Sequence, residues 1–137
     1  MLRLYRRTLS RRERNICYVN SVLQLLHAIP VIRRFFLDHQ PDPSVKSSTV
    51  LCDEIHRIYR CGETGEPTSA ANLRTIIGAW PGRDLAYISR GGQQDAAMFL
   101  SLLLELVEEE LTNAGQGHRS LRSRYEGTFQ YQYWFTN

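Results

Sequence analysis

The sequence lacks any long apolar run. In its 137 residues, no uncharged apolar stretch approaches the roughly 18 residues that a membrane span needs. Nine glycines and five prolines are too few for a collagen-like or low-complexity chain. A hydrophobic content of 42% is that of an ordinary globular protein. We therefore expect one soluble domain with a modest core and no contact with a membrane.

Cysteine is also scarce. Cys17, Cys52 and Cys61 form no CxxC pair and have no histidine at zinc-ligand spacing, so the sequence predicts neither a disulfide scaffold nor a metal site. Nothing in it calls for another cofactor. The apolar segment of a secretory signal is missing as well, which favours the reducing cytosol or nucleus and three free thiols.

Positive charge is concentrated at the start of the chain. Residues 1–14 contain six arginines and one glutamate, whereas the rest of the chain has 11 basic and 13 acidic residues. This Arg-rich arm is interpreted as a solvated segment, with a mitochondrial presequence as the alternative. A nucleic-acid binder is disfavoured because the remaining domain has no excess of positive charge.

The apolar periodicity is mostly helical. A first helix with an apolar stripe from Val19 to Ile29 ends at Pro30, and short helical segments are predicted over residues 31–37 and from about 68 to Gly78. A longer helix starts near Val50 and ends near Cys61-Gly62. The strongest pattern, from about Gln93 to Leu111, predicts a central buried helix that carries three consecutive glutamates at its unfavourable C-terminal end.

The pattern changes to strict alternation at the C-terminal end. Aromatic residues at 129, 131, 133 and 135 alternate with Gln130, Gln132 and Trp134, which predicts a β-strand within residues 125–137. A lone strand needs a partner, so it would pair with an earlier part of the fold or with another molecule.

The chemistry centres on Cys17. The spacing puts this cysteine in the first turn of a helix, where unpaired N–H groups and the positive end of the dipole favour a nucleophilic thiolate. Asn15 is expected to cap this helix beside the nucleophile. Spacing alone favours the alternative that Cys17 is a small buried residue of the apolar stripe.

Two segments of the sequence resemble the ubiquitin-specific proteases. Asn15-Ile16-Cys17-Tyr18-Val19-Asn20-Ser21-Val22-Leu23-Gln24 resembles the family's cysteine box, N-T-C-Y-M-N-S-x-L-Q. About 75 residues later, Gln93-Gln94-Asp95-Ala96-Ala97-Met98-Phe99-Leu100 resembles the family's Q-Q-D-A-x-E-F-L segment. Glu126-Gly127 and the strand after it resemble the turn that opens the family's next section.

The resemblance implies a fold and a division of the chain. It implies a mainly α fold, the helical thumb of a papain-like α+β cysteine protease, with a C-terminal β-strand. Residues 15–137 would then be a partial catalytic domain, with the thumb ending at about residue 124 and the strand at 125–137 following it. The Arg-rich arm, 1–14, would precede this domain.

The resemblance also implies an activity, hydrolysis of the bond after the ubiquitin C-terminal glycine. Cys17 would be the nucleophile, and Asp95, with Gln94 and Gln93, would bind the extended ubiquitin tail in ubiquitin or a ubiquitinated protein. The family's histidine and Asp/Asn motifs lie on a palm beyond the equivalent of Asn137, so the isolated chain is expected to be inactive or weak unless another chain supplies that half.

The sequence also departs from the family pattern at the oxyanion hole. Its usual Asn and a nearby Gly are replaced by Arg12 and Arg14, and loss of one oxyanion donor can cost about 100- to 1,000-fold in rate. The alternative function is a catalytically dead pseudoenzyme that binds ubiquitin or another partner.

Overall fold

The computed structural model describes residues 15–44 and 46–124. In this part of the chain the structure is helical and contains no strand, which confirms the mainly α prediction. The Arg-rich arm and the strand predicted within 125–137 lie outside the described residues. The helices are α1 (Cys17–Ala28), α2 (Pro30–Leu37), α3 (Val50–Thr64), α4 (Ala71–Gly78), α5 (Ala86–Ser89) and α6 (Ala96–Asn113), followed by a 3₁₀ turn at Gly117–Arg119.

Helices α1, α3 and α6 contribute most of the core. The ring of Tyr18 on α1 packs edge-on against Phe99 on α6, with 5.2 Å between the ring centroids. The buried hydroxyl of Tyr59 on α3 donates a 2.9 Å hydrogen bond to the carbonyl of Leu23 on α1. Its ring also contacts Phe36 on α2. These contacts pack the three longest helices and α2 around one apolar interior, as expected of a small domain.

Helix α3 ends later than the sequence pattern predicts. The end expected near Cys61-Gly62 is wrong, because the helix continues to Thr64. Its backbone leaves the helix at Gly65, where a φ of +77° is the left-handed conformation that glycine adopts at low cost. Gly62 is therefore an interior residue of the helix rather than its end.

The predicted end of α4 at Gly78 is confirmed. Gly78 is the last residue of α4 and lies against α5, where an added Cβ would come within 2.5 Å of the Ser89 Oγ. Gly78 therefore allows the two short helices to approach closely. At the other end of α4, the Ser69 hydroxyl accepts a hydrogen bond from the backbone N–H of Ala71.

The three glutamates at the end of α6 each have partners from another segment. Glu108 accepts hydrogen bonds from the Ser120 hydroxyl and the Arg122 N–H. Glu109 accepts from the Trp80 indole and the Arg83 guanidinium. The buried Glu110 accepts from the backbone N–H groups of Leu51 and Cys52. These bonds offset the unfavourable position of three carboxylates at a helix C-terminus.

No helix in residues 15–44 and 46–124 is both long and apolar enough to span a membrane.

Candidate active site

Cys17 is the first residue of α1, and its side chain is exposed. The next three residues are buried, so the thiol faces solvent while the helix behind it packs into the core. The first bond of the helix runs from the N–H of Asn20 to the carbonyl of Ile16, and helical bonding leaves the preceding N–H groups beside Cys17 without a partner inside the helix. The alternative that Cys17 is a buried core residue is wrong.

Asn15 does not cap this helix, and that prediction is wrong. The capping position belongs to Ile16, whose side chain is fully buried. Asn15 lies one residue earlier with a φ of +54°, far from the extended conformation of a capping residue. Its Nδ2 instead donates a 2.6 Å hydrogen bond to the carbonyl of Gly91, in the loop before α6.

Asp95 caps α6. It has extended backbone angles, and its Oδ1 accepts hydrogen bonds from the N–H groups of Ala97 and Met98 at 2.8 and 3.1 Å. The carboxylate remains exposed. Of the two preceding candidates, Gln94 is half-buried and Gln93 is exposed.

The structure brings Cys17 and the segment 93–95 to the same end of the molecule. The Tyr18 and Phe99 rings join the first turns of α1 and α6, and the bond between Asn15 and Gly91 joins the loops that precede them. Two parts of the sequence that lie 76 positions apart are thus adjacent at the point where both helices begin.

An open groove of about 470 Å³ runs along α6 from Asp95. Its lining includes two exposed apolar side chains, Met98 and Tyr87, which are 75% and 43% exposed. Asp95 and Glu105 contribute carboxylates. Neither Met98 nor Tyr87 is predicted as a site residue from the sequence, although Met98 occupies the position that is glutamate in the resembled segment.

Buried Arg74 supports the helices beside this groove. Its Nε donates a 3.1 Å hydrogen bond to the carbonyl of Ile88, which connects α4 to α5. Its guanidinium carbon lies 5.8 Å from the centroid of the Tyr18 ring. Burial raises the pKa of the Tyr18 hydroxyl, and the charge of Arg74 partly opposes that shift. No feature of sequence spacing marks this arginine as a core residue.

Three of the histidines lie on other elements than the start of α1 or at its far end. His27 lies at the opposite end of α1, about 15 Å along the helix. Its Nε2 lies 3.5 Å from a Glu63 carboxylate oxygen, and burial lowers its pKa. His56 Nδ1 lies 2.8 Å from the carbonyl of Phe36, and His118 is an exposed residue of the 3₁₀ turn.

His39 is buried and contacts two charged side chains. Its Nε2 lies 2.5 Å from an Asp53 carboxylate oxygen, and its Nδ1 lies 3.2 Å from the Arg119 guanidinium. Burial lowers the pKa of His39, and the contact with Asp53 opposes that shift. With both ring nitrogens occupied and 1% of the residue exposed, His39 has no free nitrogen to act as a base.

Clustered metal ligands are not found in the part of the chain that the structure describes. No group of three or more His, Cys, Asp or Glu residues there could hold a metal ion.

Comparison with known proteins matches most of the chain to one family. The profile of the family described as "Ubiquitin carboxyl-terminal hydrolase" matches residues 11–134, a range that includes both Cys17 and the segment 93–95. No solved structure matches the chain.

Proposed function

The chain belongs to the ubiquitin carboxyl-terminal hydrolase family, and from that premise we propose that it carries the nucleophile of a ubiquitin-specific protease. In this proposal Cys17 attacks the carbonyl carbon of the ubiquitin C-terminal glycine, and the bond after that glycine breaks. The observation that carries it is the exposed thiol in the first turn of α1, beside the start of α6.

The chemistry proceeds through a covalent intermediate. A base takes the thiol proton and the Cys17 sulfur adds to the carbonyl carbon. The bond to the leaving amine then breaks, and the base returns the proton to that amine. The resulting thioester is then attacked by water, which releases the ubiquitin carboxylate and restores the thiol. The unpaired backbone N–H groups at the start of α1 lie beside the sulfur that begins this sequence.

Recognition of the ubiquitin tail is assigned to the start of α6. The Asp95 carboxylate is exposed, and only one of its oxygens is used in capping, so the other can accept a main-chain N–H from an extended peptide. Gln94 and Gln93 precede it in an irregular segment whose polar side chains can contact the same peptide.

A general base is the missing component. His39 and His27 are buried, His56 contacts a backbone carbonyl, and His118 lies in the 3₁₀ turn, so none of these histidines is placed beside Cys17 as its base. We therefore propose that proton transfer depends on a palm supplied from outside the described residues, and that the chain alone turns over weakly or not at all.

The second candidate is a pseudoenzyme that binds ubiquitin or another protein without cleaving it. The groove beside Asp95 favours this candidate, because exposed Met98 and Tyr87 form the kind of apolar surface that a bound polypeptide covers. Binding would then be independent of Cys17.

The deciding experiment incubates the full chain with ubiquitin that carries a thiol-reactive group at its C-terminus. Intact-mass analysis measures the adduct, with Cys17→Ala as the test variant and Cys61→Ala as the matched control, since Cys61 is a partly exposed thiol on α3. An adduct that Cys17→Ala abolishes and Cys61→Ala retains supports the nucleophile. Ubiquitin binding of equal affinity in Cys17→Ala, without any adduct in the parent chain, supports the pseudoenzyme. If the parent chain forms no adduct and binds no ubiquitin, both candidate functions are contradicted.

A further inference from the structure

Asn15 has an unusual backbone conformation. Among residues 15–44 and 46–124 it is the one residue other than glycine with a positive φ, at +54°. Asparagine tolerates this left-handed region better than most residues, because its short side chain can form local hydrogen bonds there. Strained conformations persist where surrounding contacts over-determine them, and they cluster at functional sites.

The side chain of Asn15 supplies such a contact. Its amide donates the 2.6 Å hydrogen bond to the carbonyl of Gly91. Ile16, the next residue, is fully buried, so the turn at Asn15 is held on one side by the core and on the other by this bond. Two residues after the turn the chain exposes Cys17.

The acceptor of this bond, the carbonyl of Gly91, lies in the loop before α6. Gly91 has a φ of +83° and lies four residues before Asp95, the cap of α6. The bond therefore joins the turn that presents the thiol to the loop that leads into residues 93–95.

We propose that Asn15 is a positioning residue, which sets the Cys17 thiol relative to the peptide-binding segment at the start of α6. This inference rests on the proposed function, because it assigns Asn15 to the reaction at Cys17. Positioning of this kind is effective when it exists before the substrate binds, and a misplacement of about 1 Å can cost near 100-fold in rate.

The test replaces the side-chain amide of Asn15 and compares the effect with replacement of another amide donor, that of Asn72. Asn15→Asp keeps the size and the tolerance for a positive φ, but it replaces the donor with a carboxylate that faces the Gly91 carbonyl. Asn15→Gly keeps the backbone freedom and removes the side chain. Asn72→Asp is the matched control, since the Asn72 amide also donates one side-chain bond, to Glu54, at a site on α4.

Three measurements separate positioning from a merely structural role. The rate of adduct formation with the ubiquitin electrophile is expected to fall about 10- to 100-fold in Asn15→Asp. The rate of Cys17 alkylation by iodoacetamide is expected to stay within about twofold, because a small reagent does not use the segment 93–95. Amide hydrogen exchange is expected to accelerate in residues 92–95 as well as in residues 16–20, with Asn72→Asp unchanged in all three.

Two results would overturn the inference. One is that Asn15→Asp captures ubiquitin as fast as the parent chain does. The other is that the rates of capture and of Cys17 alkylation fall by the same factor in Asn15→Asp. If the parent chain captures no ubiquitin at all, the proposed function fails, and exchange alone then decides whether Asn15 couples the two loops. Faster exchange in residues 92–95 of Asn15→Asp supports the coupling, and unchanged exchange there refutes it.

Discussion

The carboxylate of Glu110, near the end of α6, accepts a 2.6 Å hydrogen bond from the backbone N–H of Leu51, in the first turn of α3. Its second oxygen accepts the N–H of Cys52 at 2.8 Å. A glutamate from a distant helix thus takes the place of a local cap, since Thr49 makes no side-chain capping bond. Burial raises the pKa of Glu110, and these two donors oppose that shift.

Replacement of Glu110 is therefore expected to destabilise the fold. Glu110→Ala leaves two buried N–H groups without their acceptor and should lower the free energy of unfolding by about 2–4 kcal/mol. Glu110→Gln keeps one acceptor and should cost less. Urea denaturation followed by circular dichroism measures both, with Glu105→Gln as the control, since Glu105 is an exposed partner of Arg83 whose loss should cost under about 1 kcal/mol. Equal losses in Glu110→Ala and the control would refute the capping role.

Asp95 allows capping and recognition to be separated. Asp95→Asn retains a good capping residue and removes the charge, so stability should change little. Asp95→Ala removes the cap and should cost about 1 kcal/mol. If the carboxylate also contacts the ubiquitin tail, both variants should slow ubiquitin capture. Thermal unfolding and capture rates check the two effects, and normal capture by a folded Asp95→Asn would argue against the recognition role.

The close approach of α4 and α5 predicts a pair of compensating substitutions. Gly78→Ala places a Cβ against Ser89 and should lower the free energy of unfolding by about 1–3 kcal/mol. Ser89→Gly in the same chain should recover part of this loss, whereas Ser89→Ala should not, because the Ser89 Cβ itself would lie 2.6 Å from the new carbon. A double-mutant cycle by urea denaturation measures the coupling, and strictly additive losses would refute the steric explanation.

Stability is expected to fall in mild acid because of His39. Burial lowers its pKa below 6.5 in the folded state, so the unfolded chain binds the proton first. The charged groups facing it are Asp53 and Arg119, with His56 6.2 Å away. The contribution of His39 is complete above about pH 6.5 and is lost as the pH falls below that value. His27 shifts in the same direction, whereas the raised pKa of Glu110 opposes the decline as the pH falls towards 4.5. Asp53, whose pKa is lowered, acts only below about 3.8.

Urea denaturation at pH 7, 6 and 5 tests this expectation. His39→Gln cannot titrate and should flatten the decline, while His118→Gln, at an exposed site, should leave it unchanged. An undiminished decline in His39→Gln would assign the acid sensitivity to another group.

The sequence predicted the helices better than their ends. Apolar periodicity identified α1, α3 and α6 because it depends on burial along one face, which the structure preserves. The end of α3 was misplaced because Gly62 is tolerated inside a helix and the left-handed turn falls at Gly65. Asn15 was misassigned as a cap because local spacing cannot reveal an acceptor 76 positions away.

The same limit applies to the candidate site. The segments around Cys17 and Asp95 were recognisable as sequence motifs, and their common location follows from the packing of α1 on α6. The partners of His39 come from α3 and from the 3₁₀ turn at Gly117–Arg119, so no local pattern marks this histidine as occupied. Met98 and Tyr87 form one surface only after α5 folds beside α6.

The last turns of α6 act as a junction for the chain. Glu108, Glu109 and Glu110 hold, in order, the segment at 120–122, the loop at 80–83 and the start of α3. Segments that are distant in sequence therefore share one point of attachment. Fraying of this single helical turn would release all of them together, so they should open as one cooperative unit in native-state hydrogen exchange rather than as independent loops.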